Sequence, residues 1–416
     1  MARLSTTQSR ALSFVDTHQE ALVSFASKLI ATPSYNPPGD EYRVAQVAAE
    51  HLHALGFADI RIVGPSSERA NLLCRYVTGR PGPTLLLNGH LDTKPAEPRD
   101  AWETDPFQPV VKAGRLYGLG AADMKGPDAA LVYGLLAAVE ADAGNLRGQV
   151  LLVLSADEEG QATDGARYLV QEMGVRADAA LIAEPCGVRE PWESLPLISR
   201  GFCGMRFCVK GTQTHSSISD RLPVVNASLA VSRLLLFLEE NLHLTYPATP
   251  LCSNGPTVNL GTTLKAGQAL AIVSGDAEFT VDVRTVPGMC QAQVATDVDR
   301  AVAAFREAYP NVPVSWEFVP GTLAWTQPTQ INPSEPLVGA VQRAAERVLG
   351  HAPPLGYFPG GTDAIWWQGA GKIPTIPGFG PGLLPNCHRP NESIAVAEIV
   401  QAAKIYALTI LDYLGG

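Results

Sequence analysis

Several features that often settle a protein's class are missing from this chain. Its seven cysteines (residues 74, 186, 203, 208, 252, 290 and 387) are odd in number, scattered, and include no C-x-x-C pair. That excludes a disulfide framework and a C-x-x-C zinc or redox site. Reduced thiols packed as small hydrophobes are expected, as in a cytosolic protein. No uninterrupted apolar run reaches the roughly 20 residues needed to span a bilayer. The opening MARLSTTQSRALSF lacks the long apolar segment of a secretory signal, so the cytoplasm is the expected location. Basic residues are in deficit, 31 Lys and Arg against 41 Asp and Glu, and they form no stripe. A net charge of −10 without a basic face argues against nucleic acid or an anionic membrane as partner. There is no internal repeat and no low-complexity tract.

What remains is a globular composition, 46% hydrophobic and 17% charged. At 416 residues the chain exceeds one core of ordinary size, and two domains are expected. The first 30 residues read as a helix, with Leu22, Val23, Phe25, Ala26, Leu29 and Ile30 at helical spacing before SYNPPGD breaks it. A second helix is expected over Tyr42–Leu55. Short apolar runs at Ile60–Val63, Asn71–Tyr76 and Thr84–Leu87 read as strands. The Gly-rich GLGAADMKG introduces a helix from Gly126 to Val139. The strand Gln149–Leu154, a helix at Ala166–Met173 and the strand Ala179–Ala183 follow. Strands apolar on both faces, alternating with helices, indicate a mostly parallel sheet sandwiched by helices.

Near residue 197 the pattern changes to half-exposed strands. Gly204–Val209, a helix Pro223–Glu240, Thr257–Leu260, Glu278–Arg284, a helix Gln291–Tyr309 and Val314–Phe318 read as an α+β, ferredoxin-like unit. After a Pro-containing connection, Leu323–Pro336, the α/β character returns with helix Pro336–Leu349, strand Thr375–Phe379 and helix Val396–Leu414. The expected division is residues 1–196 and 323–416 in one domain, with 197–322 inserted as a second.

In open parallel sheets, ligands bind at the carboxyl ends of the strands. Those ends carry His90-Leu91-Asp92, Asp157-Glu158-Glu159, Glu184 and, late in the chain, His388, while Asp123 sits in the Gly-rich loop ahead of a helix. Each is ordinary alone. Glu184 before a proline reads as a loop carboxylate, Asp123 as a helix cap, His388 as a surface histidine. His90 and Asp92 share one face of an extended segment, so the carboxylate can orient the imidazole. Together they are hard to explain without cations. With Asp123 bridging, His90 and Glu184 complete one site and Glu159 and His388 the other, as zinc chemistry favours. Water shared between two ions about 3.5–4 Å apart becomes a nucleophile near neutral pH. Adjacent Glu158 and Glu159 point different ways in extended backbone, so one can bind metal while the other faces substrate.

The blocks NGHLDT, YGLGAADMKG, ADEEG, AEP, GTDA and GPG followed by His388-Arg389-Pro390-Asn391-Glu392 stand in an order that resembles the M20 metallopeptidase/amidohydrolase family. In LYGLGAADMKG, TVNLG and VRTVPGM the chain is most similar to the acetylornithine deacetylase branch. The resemblance implies a zinc-exopeptidase-like catalytic domain with an inserted lid and dimerisation domain. It implies two Zn2+ (Co2+ or Mn2+ would also fit) on His90, Asp123, Glu159, Glu184 and His388. Glu158 is then the general base and Asp92 the partner of His90. His215 in GTQTHSS would stabilise an oxyanion, and Arg284 with the backbone of Gly360, Gly361 and Thr362 would hold a substrate carboxylate. Without the family, His215 reads as a surface histidine and Arg284 as an ion-pair partner.

Three places depart from the family pattern. Ala271 replaces the usual lid Asn and offers no side-chain hydrogen bond. Lys94 replaces a common Val, reading either as a solvated charge or as a group that recruits an anionic substrate. The stretch from His215 to Asn226 is longer than in acetylornithine deacetylase; Trp366 and Trp367, past GTDA, are expected to pack in the core. The expected reaction is hydrolysis of the amide of an N-acyl amino acid. A dipeptidase or carboxypeptidase of the same family, or a non-catalytic binding protein on the same fold, stays open. The expected partners are a small N-acyl amino acid or short peptide and a second copy of the chain.

Overall fold

The computed structural model describes residues 4–142 and 144–415. Contacts divide the chain into one unit made of residues 1–199, 329–358 and 362–416, and a second made of 200–328 with 359–361.

The first unit opens with α1 (Thr6–Thr17) and α2 (Gln19–Ile30), where one continuous helix was expected. The break falls at His18, and its cause is local. His18 Nδ1 lies 2.8 Å from the Phe14 carbonyl and Thr17 Oγ1 donates to Phe14 and Ser13, so side chains compete for carbonyls that the helix would use. Next come α3 (Glu41–Ala54), β1 (Asp59–Val63), β2 (Asn71–Val77), β3 (Thr84–His90), α4 (Lys125–Asp142), β4 (Gln149–Ser155) and β5 (Ala179–Ile182). The helix expected at Ala166–Met173 is instead a π turn, Thr163–Arg167, followed by a single α turn, Tyr168–Gln171.

The second unit contains β6 (Gly201–Lys210), α5 (Ala227–Asn241), β7 (Thr257–Ala266), β8 (Asp276–Thr285), α6 (Gln291–Ala308) and β9 (Val314–Phe318). Its antiparallel sheet has the order β7-β8-β6-β9. Along β8 buried and part-exposed residues alternate, and Phe207 and Phe279 stack within the buried layer at 5.1 Å. The helix expected from Pro223 starts later because Asn226 caps it, its Oδ1 accepting from Ser228 and Leu229 at 3.0 and 3.3 Å.

The chain then returns to the first unit with α7 (Pro336–Leu349), β10 (Thr375–Ile376) and α8 (Val396–Leu414). The strand expected to run on to Phe379 ends at Ile376, where Pro377 removes a donor. The central sheet has the order β1-β2-β4-β3-β5-β10. From β4 to β10 its neighbours are parallel, while β1 and β2 join antiparallel, so the sheet is mixed with a parallel functional half. Trp367 is fully buried with Leu86, Val153 and Ile182 and donates its indole N–H to Asn88 Oδ1 at 2.8 Å; Trp366 is only half-buried, beneath Arg167.

Helices α4 and α8 approach closely at Gly134. A Cβ there would lie 2.8 Å from Tyr406 Cβ and 2.9 Å from the Ala403 carbonyl oxygen. Gly134→Val is therefore expected to lower the unfolding midpoint in urea, at a cost of about 1–3 kcal/mol for overpacking. An unchanged midpoint would show that the two helices separate freely.

Candidate active site

Parallel register sets the site. His90 pairs with Ser155, and Asn88 with Ile182, so β3, β4 and β5 end together. His90 closes β3; Asp157, Glu158 and Glu159 follow β4; Glu184 lies two residues past β5. Asp123 arrives from the loop ahead of α4. Glu392 holds that loop, its Oε1 accepting from the amides of Ala122 and Asp123 at 2.9 and 3.0 Å.

Asp123 divides its two oxygens between two imidazoles. Oδ1 is 3.1 Å from His90 Nε2, and Oδ2 is 3.1 Å from His388 Nε2. His90 Nε2 also lies 3.4 Å from Glu184 Oε1, and His388 Nε2 lies 2.7 Å from Glu159 Oε1. Two donor sets sharing one carboxylate is the arrangement a bridged pair of cations requires. Single donor atoms of His90, Asp123 and Glu159, and of His90, Glu158 and Glu184, lie within 4.8 Å of one another. His90, Asp123 and Glu184 are buried, while His388 keeps an exposed face.

Asp92 organises the side of His90 away from Asp123. His90 Nδ1 lies 2.9 Å from the Asp92 carbonyl and 3.6 Å from its Oδ1, which leaves Nε2 to point at Asp123. The same carboxylate accepts from the backbone amides of Glu158 (Oδ1, 3.1 Å) and Glu159 (Oδ2, 3.1 Å). The two glutamates are thus pinned through their backbones while their side chains diverge. Glu159 reaches His388, and Glu158 lies at the His90–Glu184 side.

Burial and crowding distort the titration of these groups. Burial, with the Asp123 charge next, pushes Glu184 up to about 7. Burial, with Glu184 next, raises Glu158 well above the carboxylate range. For His388 burial opposes protonation, yet bonds to Asp123 and Glu159 outweigh it and raise the imidazole to about 11. His90 is raised well above its usual value in the same way, against burial, by Asp123 and Glu184. Protons thus take the place that cations would fill, and the imidazole and carboxylate donors suit borderline to hard divalent metals.

Lys94 lies on Glu159, bonding its carbonyl and sitting 3.3 Å from its Oε2. Thr362 is buried, its Oγ1 accepting from the Ala364 amide at 3.2 Å. In the second unit, His215 Nδ1 accepts from the Ser217 amide at 3.2 Å. Arg284 forks onto Asp282 at 3.0 and 3.1 Å and lies over the Phe202 ring. Ala271 has φ +66°, a left-handed conformation that Asn adopts more readily than Ala. Gly360 and Gly361 belong to the second unit and Thr362 to the first.

Two buried groups went unassigned in the sequence reading. Glu392 stood in the HRPNE block without a role. Asp363, in GTDA, accepts from Ser155 Oγ at 2.6 Å, and burial raises its pKa to about 7. Neither lies at the carboxyl end of a central-sheet strand, where His90, Glu158, Glu159 and Glu184 are found.

Metal uptake must displace the protons on His90 and His388. With Glu184 also part-protonated at that pH, zinc binding to metal-free protein at pH 7 is therefore expected to release about two to three protons. Calorimetry in buffers of different ionisation enthalpy measures this, and a buffer-independent heat contradicts it.

Comparison with known proteins fits this geometry. The chain is 29% identical over 400 residues to the succinyl-diaminopimelate desuccinylase of Alkalilimnicola ehrlichii, covering 94% of this chain and 99% of that one. It is 30% identical over 399 residues to the enzyme of the same name from Leptothrix cholodnii, covering 93% and 97%. In fold it matches the dipeptidase Dug1p of Saccharomyces cerevisiae with a TM-score of 0.76 at 18% identity, covering 99% of both chains. It also matches the M20 family metallo-carboxypeptidase Sso-CP2 of Sulfolobus solfataricus with a TM-score of 0.75 at 18% identity, covering 94% and 99%. Residues 86–412, which include every proposed metal ligand, match the peptidase family M20/M25/M40, and the chain is a metallohydrolase of that family.

Proposed function

We propose that the protein hydrolyses the amide bond of an N-acyl amino acid, using two divalent cations and Glu158 as general base. The division of Asp123 between His90 and His388 carries this reading. His90, Asp123 and Glu184 would hold one cation, and Asp123, Glu159 and His388 the other. When bound, such ions acidify water and polarise a carbonyl. Glu158 takes the proton that the attacking water loses as its oxygen bonds the acyl carbon. It returns that proton to the amide nitrogen as the C–N bond breaks. Asp92 fixes the His90 tautomer and the backbone of Glu158, so the base does not have to search for its position. Zinc is the proposed metal, with cobalt or manganese as substitutes.

The assignments of His215 to the oxyanion, and of Arg284, Gly360, Gly361 and Thr362 to a substrate carboxylate, rest on the family resemblance. So does the role of residues 197–322 as lid. Lys94 would serve an acidic acyl group only by sharing its charge with Glu159. The two sequence relatives named above are desuccinylases, whereas the local phrasing favours a deacetylase; both remove an acyl group from an amino acid. A dipeptidase is the second reading, since its substrate also places an amide beside a carboxylate. A cytoplasmic location is proposed; among the described residues no helix is long and apolar enough to cross a membrane.

Hydrolysis of N-acetylornithine, N-acetylmethionine, N-succinyl-diaminopimelate and short dipeptides, before and after chelation and metal restoration, decides among these readings. Glu158→Ala is expected to lower kcat about 100- to 10,000-fold while metal content is kept. Normal turnover in a metal-loaded Glu158→Ala enzyme would overturn the assignment.

A homodimer is also proposed, through the second unit. Strand β7 is the edge of its sheet, and Leu229 and Leu236 of α5, with Leu264 of β7, are each more than half exposed. Sedimentation should give a dimer that Leu229→Glu with Leu236→Glu converts to monomer; a monomeric wild type contradicts this.

A further inference from the structure

Asp157 is the first of the three acids after β4, and the reaction outlined above gives it no task. It is buried, with φ +61°, and its side chain bonds to neither imidazole. Oδ2 accepts from the Asp164 amide at 3.1 Å. Oδ1 accepts from Asn36 Nδ2 at 2.9 Å and lies 2.5 Å from Arg69 Nη2. Asn36 Nδ2 donates its other hydrogen to Asp92 Oδ2 at 3.0 Å. One neutral amide therefore ties together two buried carboxylates that would otherwise repel across the gap.

The outer end is anchored by charge. Arg69 Nη1 lies 3.1 Å from the buried Glu41, Nε lies 3.2 Å from Asp164, and Nη1 also donates to the Pro38 carbonyl at 3.0 Å. The inner end is anchored by backbone. The Asn36 amide donates to the Thr93 carbonyl at 2.8 Å, the Thr93 amide to the Ser34 carbonyl at 3.2 Å, and Ser34 Oγ to the Leu91 carbonyl at 2.6 Å. Residues 34–36 thus run alongside residues 91–93, directly after His90. Packing leaves no slack, because a Cβ on Gly160 would fall 2.2 Å from Asp157 Oδ1 and 2.6 Å from Asn36 Nδ2.

We infer that Arg69, Asp157 and Asn36 form a buried brace that positions Asp92, and through it His90 and the backbone of Glu158 and Glu159, for amide hydrolysis. All three are positioning residues; none contacts the imidazoles. The inference rests on the proposed metal-dependent reaction but makes a demand of its own. Without the Asn36 amide, Asp92 Oδ2 loses its tie to Asp157 and Arg69 and keeps only the Glu159 amide, so the Asp92 side chain is free to shift. Such a shift alters its grip on His90 and on the two glutamate amides.

The test compares the full chain with Asn36→Leu, Asp157→Asn and Arg69→Met. Zinc affinity is read by competition with a chromophoric chelator, and kcat and KM are read on the best substrate of the panel. Asn36→Leu is expected to weaken zinc binding and lower kcat, each about 10- to 100-fold, with KM nearly unchanged. Asp157→Asn and Arg69→Met are expected to give smaller losses of the same kind. Asp157→Asn keeps its shape and its acceptor for Asn36, so it carries the test if Asn36→Leu does not fold. Folded variants with wild-type zinc affinity and kcat, and only a lower melting temperature, would overturn the inference. If the wild type cleaves none of the amides, the reaction is wrong, and the zinc affinities alone still decide whether the brace exists.

Discussion

Negative charge concentrated where three parallel strands end is the constraint around which the first unit is organised. Asp92, Asp123, Glu158, Glu159 and Glu184 converge on only two imidazoles. Stripped of cations, such a cluster can persist only by taking up protons, which is what the raised pKa values of His90, His388 and Glu184 express. Divalent ions bound by these donors, as proposed, would neutralise the same charge. The sheet's parallel register supplies three of the ligand-bearing ends, and Glu392 supplies the fixed loop that brings Asp123 to them.

Within that cluster, adjacent residues are held in separate places through their backbones. Asp92 holds the amides of Glu158 and Glu159 on its two oxygens, so neither glutamate can slide along the strand end. Their side chains then serve different places, one against His388 and one near His90 and Glu184. Metal binding and proton transfer would be hard to assign to one carboxylate, because a metal-bound oxygen is a poor base. The proposed roles of Glu158 and Glu159, on consecutive residues, would resolve this with no extra element of structure.

Much of this was legible in the residues. Strands apolar on both faces announced a covered sheet, and their polar ends named His90, Asp92, the Asp157–Glu159 run and Glu184. Helix α7 and helix α8 fall at their expected ends because proline opens the first and glycine follows both. What was not legible depended on partners distant in sequence. Asn36 looked like part of a helix-breaking SYNPPGD loop, yet its amide meets Asp92 and Asp157, 56 and 121 residues away. The break at His18 escaped periodicity because apolar spacing continues across it, while side-chain bonds to carbonyls decide the backbone. The antiparallel joining of β1 and β2 likewise leaves no trace in strands that are short and largely apolar.

Anomalous diffraction at the zinc edge, from crystals grown with zinc, tests the central claim most directly. Two peaks about 3.5–4 Å apart, one on each side of the Asp123 carboxylate and flanked by His90 and His388, are predicted. A single peak, or peaks that leave Asp123 uncoordinated, would contradict the account.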